Sequence, residues 1–259
     1  MDSRLFRMKL SSLDVHFLVQ ELQELKNAKV DKIYHHKKEF LFQLHVPRKG
    51  KTLLRIVLPH VLFLTQKKLE YEQLTEFGKL LRKYLSLARI REIQQNQSQR
   101  VVEILFQKEE SFRVIIELFS RGNLVLCRED YTIIQPYDIQ TWKERKVRGK
   151  QQYVFPKTKV NVLTMSEQEF KDIMQHSEKE SIVKTLAIDL GLGGIYAEEL
   201  CTRAKVQKDH QKAEINERIK LYDALKDLLT SKSKPAVWYQ EKQPQMILPI
   251  EIHSSLKKR

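Results

Sequence analysis

The chain has 259 residues, of which 41% are hydrophobic, enough for one large or two ordinary domains with a core and too apolar for a globally disordered protein. Lys and Arg outnumber Asp and Glu by 47 to 33, and the formal charge of +14 favours a polyanionic partner over a merely basic protein. The chain has two cysteines and no CxxC motif, which argues against a disulfide framework and a zinc site. It shows no signal-peptide pattern, no apolar run of membrane length and no basic amphipathic helix. We therefore expect a cytoplasmic protein without a membrane partner.

Periodicity over the first 160 residues predicts a β-rich region with two helices, and no internal repeat is visible. Ser11 and Asp14 form a capping box at the start of the first helix. The second helix carries Lys79, Arg82 and Lys83 on the side opposite its apolar residues. The predicted elements are, in chain order, a helix at 11–27, strands at 40–46 and 53–59, a helix at about 72–88, and strands at 100–107, 112–119 and 123–127.

The segment 143–150, KERKVRGK, is predicted to be a basic loop, with five Lys or Arg residues in eight positions. Arg145, Lys146 and Arg148 are its candidates for contact with a nucleic-acid backbone. An ordinary solvated surface is the alternative, both for this loop and for the basic face of the second helix.

From residue 162 the pattern becomes helical. Capping boxes at Ser166 with Glu169 and at Ser177 with Glu180 each precede an apolar periodic run, so helices are expected to begin there. The remaining predicted elements are helices at 195–204 and about 211–230 and two short strands around a turn at Pro244.

Three of the seven glycines, Gly191, Gly193 and Gly194, lie within four positions between two helical runs. A tight double turn needs residues that tolerate positive φ and allow close backbone approach, and glycine supplies both. Exposed N–H groups in such a turn, beside a helix N-terminus, can hold a phosphate. A plain helix cap is the alternative, and spacing alone favours neither.

The glycine turn and the helix after it, LGLGGIYAEELCTRAKV, are similar to the helix–two-turns–helix signature of formamidopyrimidine-DNA glycosylases. Over nearly its whole length, the chain resembles the N-terminal domain of the NFACT family, which includes fibronectin-binding-protein-like bacterial members and the nuclear export mediator factor. The other motifs that carry this resemblance occur in the family's order: SSLDVHFLVQEL (11–22), FGKLLRKYLSLARI (77–90), QRVVEILF (99–106), ELFSRGNLVL (117–126) and LPIEI (248–252).

Pattern and resemblance together predict an α+β protein. Its parts are a glycosylase-like antiparallel β-sheet (sandwich) domain with flanking helices over 1–160, a helix–two-turns–helix domain over 161–232, and a short strand pair with a basic tail over 233–259. Full-length family members continue into a coiled coil. The chain stops at HSSLKKR, so we expect an N-terminal fragment or a natural short form.

The resemblance implies a role in ribosome-associated quality control. Family members bind the large ribosomal subunit carrying an obstructed peptidyl-tRNA and recruit charged tRNA, so that the stalled chain is extended without mRNA. The glycosylase-like region is implicated in the tRNA contact and lacks glycosylase catalysis. A DNA-binding protein of glycosylase descent is the rival interpretation, and an adhesin-like surface protein is disfavoured because no export signal is present.

The resemblance also assigns tRNA handling to an acidic residue in the opening helix and to an Asp-Arg pair before a strand, which correspond to Asp14, Gln99 and Arg100. Arg100 keeps a guanidinium that can bind a phosphate through two parallel hydrogen bonds or stack on a base. Gln99 replaces the carboxylate by an amide. The grip is expected to be looser if the carboxylate orients the arginine, and tailing is expected to fail if it discriminates charged tRNA. For Asp14, a plain helix cap is the alternative.

Arg121, Gly122 and Asn123 match the family as well, and Arg121 and Asn123 are further candidates for RNA contact. The favoured interpretation is nevertheless a turn between strands, with Gly122 and Asn123 in left-handed conformations.

No enzymatic activity, metal or cofactor is expected. The glycosylases use an N-terminal proline amine as nucleophile, whereas this chain begins Met1-Asp2-Ser3. The HExxH, GxSxG and GxxxxGK[ST] patterns are missing, and the pair His35-His36 fits a basic turn better than a metal site.

Overall fold

The computed structural model describes residues 10–67, 75–240 and 243–253, and the chain divides into two compact units. Unit 1 contains Leu18–Asn96 and Arg100–Lys157, together with the segment that ends at Leu10. Unit 2 contains Ser11–Phe17, Gln97–Gln99 and Thr158–Arg259. The three-part domain division suggested by the sequence stays a prediction.

Unit 1 is built on a nine-stranded antiparallel sheet, so the predicted α+β class with a large antiparallel sheet is confirmed. The strands are β1 (Lys29–His36), β2 (Glu39–Val46), β3 (Gly50–Val57), β4 (Val61–Thr65), β5 (Arg89–Gln95), β6 (Val101–Gln107), β7 (Ser111–Glu117), β8 (Asn123–Arg128) and β9 (Ile133–Pro136). Their order is β4-β3-β2-β1-β5-β6-β7-β8-β9, so each pairs with its chain neighbour except at the centre, where β1 lies beside β5.

Short turns set the register of the hairpins where the sequence predicts them. Val46 lies opposite Gly50, and Gln107 lies opposite Ser111. The predicted basic loop overlaps a small hairpin of β10 (Gln140–Thr141) with β11 (Lys146–Val147), of which it contains the turn and β11.

The two halves of the sheet meet at β1 and β5 about an approximate local two-fold axis. Strands β1 and β5 pair at Lys29 and Arg89, which are 60 positions apart. Four backbone hydrogen bonds surround this pair as two equivalent sets: Asn27 N–H to Ile90 O (2.8 Å) with Leu87 N–H to Val30 O (2.9 Å), and Ile90 N–H to Ala28 O with Val30 N–H to Ala88 O (2.9 Å each). LKNAKVDKI (25–33) and LSLARIREI (85–93) take equivalent places in this pairing, and the expectation of no internal repeat in the sequence stays a prediction.

A helical segment precedes each half and bonds across the axis. Helix α1 (Ser12–Leu22) continues into a 3₁₀ turn, where Gln23 Nε2 donates to Ile93 O at 2.9 Å. In α2 (Glu76–Leu85), Arg82 Nε donates to the equivalent carbonyl, Ile33 O, at 2.6 Å. Thr75 caps α2 by accepting from Gly78 N–H at 3.1 Å, and the predicted start of this helix near 72 lies outside the described residues.

His35 and His36 end strand β1 and do not form the expected basic turn. The His35 side chain is 4% exposed and its ring stacks on Phe40 with centroids 4.3 Å apart. Its Nε2 donates to Lys37 O at 2.6 Å, which leaves Nδ1 to accept from the Thr75 hydroxyl. Burial lowers the pKa of His35 below its ordinary value, so this ring is a neutral core residue.

Unit 2 is helical with a terminal strand pair. Its helices are α3 (Glu167–His176), α4 (Ile182–Lys184) with a π turn at Thr185–Asp189, α5 (Gly194–Ala204) and α6 (Ile215–Thr230), and its strands are β12 (Ala236–Gln240) and β13 (Gln243–Leu248). These helices and the start of α1 share one core, with Phe17, Phe170, Tyr196 and Leu225 among its buried members.

One of the two capping boxes predicted for unit 2 is present. Ser166 and Glu169 bond reciprocally at the start of α3. The box predicted at Ser177 and Glu180 is wrong, because Ser177 ends α3 and the hydroxyl of Ser181 caps α4 instead. Ser177 Oγ donates to Asp189 Oδ2 at 2.7 Å and does not cap a helix.

Candidate nucleic-acid interface

Arg100 lies immediately before strand β6, where its carbonyl accepts from Leu118 N–H at 2.8 Å. Its side chain is half-buried and makes no hydrogen bond or ion pair with the residues that the structure describes. Burial lowers the pKa of this guanidinium. The Arg100 guanidinium is thus partly removed from water, and no acidic side chain in the described ranges pairs with it.

Gln99 belongs to unit 2, where its Nε2 donates to the hydroxyl of Thr158. The neighbouring Ser98 hydroxyl donates to Val160 O at 2.9 Å. The amide of Gln99 acts here as a donor, which a carboxylate could not do. The substitution therefore changes the local bonding pattern as well as the charge.

Asp14 forms with Ser11 the capping box that the sequence offered as the alternative to a site. Its Oδ2 accepts from Ser11 N–H at 2.7 Å, and Ser11 Oγ accepts from Asp14 N–H at 3.1 Å. Its second oxygen, Oδ1, accepts from the Tyr196 hydroxyl at 2.6 Å. Tyr196 is 2% exposed, and burial together with the charge of Asp14 raises its pKa far above the ordinary value. Asp14 therefore ties the start of α1 to α5, a link that the sequence did not reveal.

The glycine bend is exposed and its backbone takes conformations that favour glycine. Gly191 and Gly193 have φ of 68° and 76°, while Leu192 between them is fully buried and anchors the bend. Gly194 begins α5 with an ordinary φ, and a Cβ added there would meet nothing within 4 Å. The N–H groups of the first three residues of α5 have no hydrogen-bond partner among the described residues. The bend thus presents bare amides at the positive end of a helix dipole.

The basic face of α2 is part structural and part exposed. Arg82, bound to Ile33 O, also lies over the Tyr34 ring, with its Cζ 5.4 Å from the centroid. Lys79 is exposed and pairs with Glu76 at 2.6 Å. Lys83 is exposed as well. The lysines of this face are accessible to a polyanion, whereas Arg82 is committed to the fold.

Arg145 is misassigned by the sequence analysis, because it is a buried residue and not a surface charge. Its side chain is 7% exposed, and Nη2 donates to Glu117 Oε1 at 2.7 Å. Its Cζ lies 4.4 Å from the centroid of the Trp142 ring. Lys146 and Arg148, from the same segment, are exposed as expected.

The Arg121-Gly122-Asn123 segment is a turn between β7 and β8, as favoured. Gly122 has φ of 73°, and a Cβ there would lie 2.9 Å from Leu58 Cβ and Pro59 Cα. Asn123 is fully buried; its Oδ1 accepts from Asp138 N–H at 3.1 Å and its Nδ2 donates to Asp138 O at 2.8 Å. The left-handed partner of Gly122 is Ser120, not Asn123 as expected. Asn123 shapes the turn, while Arg121 is exposed.

The described residues provide neither a metal-binding cluster nor a membrane-spanning helix. In that part of the chain, no group of three or more His, Cys, Asp or Glu side chains is arranged to hold a metal ion. Within the same ranges, no helix combines the length and apolar character needed to cross a bilayer.

The archaeal Rqc2 homolog aRqcH from Methanocaldococcus jannaschii is 29% identical over 262 residues, which cover 95% of this chain and 39% of that protein. The chain therefore spans well under half the length of this curated relative.

Solved structures share the fold. The N-terminal part of the fibronectin/fibrinogen-binding protein from Streptococcus suis superposes with a TM-score of 0.77 at 19% identity, covering 96% of this chain and 92% of that one. The fibrinogen binding protein from Staphylococcus aureus gives 0.73 at 19% identity, with 95% and 92% covered. The N-terminal domain of the fibronectin-binding protein PavA from Streptococcus pneumoniae gives 0.62 at 20% identity, with 93% and 94% covered.

The family model described as NFACT N-terminal and middle domains matches residues 11–259, almost the whole chain. The match confirms the resemblance carried by the sequence motifs. The chain belongs to the NFACT family.

Proposed function

We propose that this chain is a non-catalytic tRNA-binding module of a ribosome-associated quality control factor, which acts in the cytoplasm with the large ribosomal subunit. The observation that carries the proposal is the half-buried Arg100 guanidinium without a counter-charge among the described residues. Membership of the NFACT family and similarity to a protein named an Rqc2 homolog support the quality-control assignment.

Arg100 is suited to bind a phosphate. A guanidinium presents two parallel donors to an oxyanion, and charge-assisted hydrogen bonds of this kind are about twice as strong as neutral ones. Because part of its desolvation has already occurred in the folded chain, a bound phosphate adds attraction at little further cost.

The glycine bend is the second proposed contact with the RNA backbone. Positive φ accounts for glycine at 191 and 193 but not at Gly194, where alanine would fit without a clash. Glycine at this position leaves room for a close partner above the bare N–H groups of α5.

The remaining predicted residues fall into two groups, exposed cations and side chains that are bonded within the fold. Lys79, Lys83, Arg121, Lys146 and Arg148 are accessible and form the proposed electrostatic footprint. Asp14, Gln99, Arg82 and Asn123 hold backbone and side chains in place through the bonds described above.

The state of the cysteines supports a reducing compartment. Cys127 and Cys201 are both free and buried, and burial raises the pKa of each thiol to about 12. Such thiols are unreactive. Because these two cysteines form no disulfide, the fold does not depend on an oxidising environment.

The proposal is tested by titrating labelled tRNA with the 259-residue chain in a filter-binding assay at about 50 and about 200 mM salt. We expect Arg100→Gln to weaken binding roughly 10-fold or more and to reduce the salt slope by about one ion. Arg128→Gln is the matched control, because Arg128 is 55% exposed and its ion pair with Glu110 is long, at 3.5 Å. Gly194→Ala should weaken tRNA binding without lowering stability.

The outcomes separate the proposal from its rival. Absence of tRNA binding at low salt, or equal losses in the Arg100 and Arg128 variants, would refute it. Tighter binding to duplex DNA with an abasic site than to tRNA would favour a DNA-binding protein of glycosylase descent. Co-sedimentation with large subunits that carry peptidyl-tRNA, and not with vacant large subunits, tests the proposed ribosomal partner.

A further inference from the structure

A cavity of about 210 Å³ opens beside the β10–β11 hairpin of unit 1. It is lined by Phe119, Trp142, Phe155 and Pro156, with Val154 and the charged residues Glu144, Arg145 and Lys157. It is smaller than the roughly 300–1,000 Å³ of pockets that enclose drug-sized ligands. Its size and aromatic walls fit one planar ring system and exclude a large cofactor.

The walls of this cavity are fixed by short-range bonds. Trp142 and Arg145 enclose a two-residue turn in which Trp142 N–H donates to Arg145 O at 2.8 Å and Arg145 N–H donates to Trp142 O at 3.4 Å. Arg145 is held in turn by Glu117 and by Val154 O, which accepts from Nη1 at 3.2 Å. Its guanidinium lies over the Trp142 ring. The indole is therefore pre-oriented, so a ligand that stacks on it pays little ordering entropy.

Exposed lysines adjoin the cavity along the chain. Lys143 and Lys146 are exposed and stand next to the lining residues Trp142 and Arg145 in the sequence, while Lys157 lines the cavity and pairs with Glu144 at 2.7 Å. Aromatic side chains beside a cationic track are the combination that binds single-stranded nucleic acid, because bases stack on the rings while the cations follow the phosphates. A hydrophobic peptide would gain nothing from these lysines.

We propose that this cavity receives one unpaired nucleobase of an RNA strand, which stacks on Trp142 while the adjoining phosphates contact Lys143 and Lys146. The inference rests on the proposed RNA-binding function and adds a base-binding site to it. The described walls offer aromatic faces, and Arg145 is already engaged with Glu117, so the site selects for a base and not for its sequence.

The test uses the fluorescence of Trp142 in a Trp238→Phe background, in which Trp142 is the remaining tryptophan. The probes are hexaadenylate, the same ribose-phosphate strand with abasic positions, and free AMP. We expect hexaadenylate to quench Trp142 and the abasic strand to bind without quenching. Trp142→Leu should weaken hexaadenylate binding roughly 10-fold while leaving the abasic strand unaffected, and Trp142→Phe should restore most of the affinity.

Several outcomes would overturn the assignment. Equal quenching by the abasic strand would show that Trp142 senses the backbone only, and saturation by AMP as tight as by hexaadenylate would assign the cavity to a free nucleotide. Stronger quenching by N-acetyltryptophanamide would indicate an aromatic side chain of a protein. If tRNA binds but never quenches Trp142, this inference fails while the proposed function stands. Quenching by hexaadenylate without tRNA affinity refutes the proposed function and leaves the cavity as a base site. Should Trp142→Leu not fold, the quenching experiment still decides.

Discussion

Replacing Arg145 by Met should destabilise unit 1 strongly, because it leaves Glu117 as an uncompensated buried charge. The two side chains are 7% and 1% exposed and joined at 2.7 Å. Glu117 Oε1 also accepts from the Tyr153 hydroxyl at 2.7 Å, whereas Oε2 has no hydrogen-bond partner among the described residues. Removal of one partner from such a pair costs about 3–5 kcal/mol, a large part of the roughly 5–15 kcal/mol that holds a domain folded.

The effect has a characteristic dependence on pH. Burial raises the folded-state pKa of Glu117 above its ordinary value, and the charge of Arg145 opposes that rise. A carboxyl whose folded pKa is raised contributes stability at low pH and loses it as pH rises through the folded pKa. Without Arg145 that pKa moves higher still. The free-energy difference between wild type and Arg145→Met should therefore grow as pH increases above the wild-type folded pKa.

The assay is urea unfolding at about pH 5 and about pH 8, followed by Trp142 fluorescence in the Trp238→Phe background. Arg148→Met, an exposed arginine of the same hairpin region, is the control and should change the unfolding free energy by no more than about 0.5 kcal/mol. The double variant Glu117→Gln with Arg145→Met should lose the pH dependence. A loss below about 1 kcal/mol, or one equal at both pH values, would show that Arg145 is not the counter-charge of Glu117.

Two further predictions concern single polar contacts. Tyr196→Phe removes the hydroxyl that Asp14 accepts and should lower the unfolding free energy of unit 2 by about 1.5–3 kcal/mol, the range for a hydrogen bond to a charged group; a change near zero in thermal denaturation would contradict the link. The neutral His35 should make the wild type lose stability as pH falls below its ordinary pKa of 6.5, with His36 adding repulsion, and His35→Phe should flatten that part of the pH profile; parallel wild-type and variant profiles would disprove the assignment.

Strongly apolar strands and capped helix starts could be predicted from the sequence because their signals are local. Strands β6 and β7 are apolar on both faces, and β7 and β8 follow tight turns. The capping box of Ser166 and Glu169 likewise predicted the start of α3. Such elements are specified by residues that are neighbours in the chain.

The central strands β1 and β5 escaped prediction because their period is broken. In β1 the register shifts between Val30 and Lys32, and in β5 it shifts between Ile90 and Glu92. A bulge of this kind adds a residue, so charged side chains fall where alternation expects apolar ones. The two register shifts lie at equivalent positions about the two-fold axis. Neither can be read from one strand alone, because each is defined by the pairing with a neighbouring strand.

The charged residues of the candidate interface show a second limit of sequence reasoning. The sequence KERKVRGK shows how many basic residues the segment has, but not which side chains surround each of them in the fold. Arg145 meets Glu117, a residue 28 positions earlier, whereas Lys146 and Arg148 meet solvent. A useful signal did exist in the aromatic residues around the cluster, since Trp142, Tyr153 and Phe155 form a wall that a buried guanidinium can stack against.

Asp14 belongs both to a capping box and to the set of proposed RNA-binding residues. One of its oxygens closes the box at the start of α1 and the other accepts from Tyr196, two residues beyond Gly194 at the bend. Because the buried Tyr196 hydroxyl would otherwise be unsatisfied, the carboxylate sets the position of the first turn of α5. An acidic side chain near a proposed phosphate site would repel the ligand if it were free. Under the proposed phosphate contact at the bend, Asp14 bound in this way would orient the N–H groups at the start of α5, and its charge would be engaged by Tyr196 and Ser11.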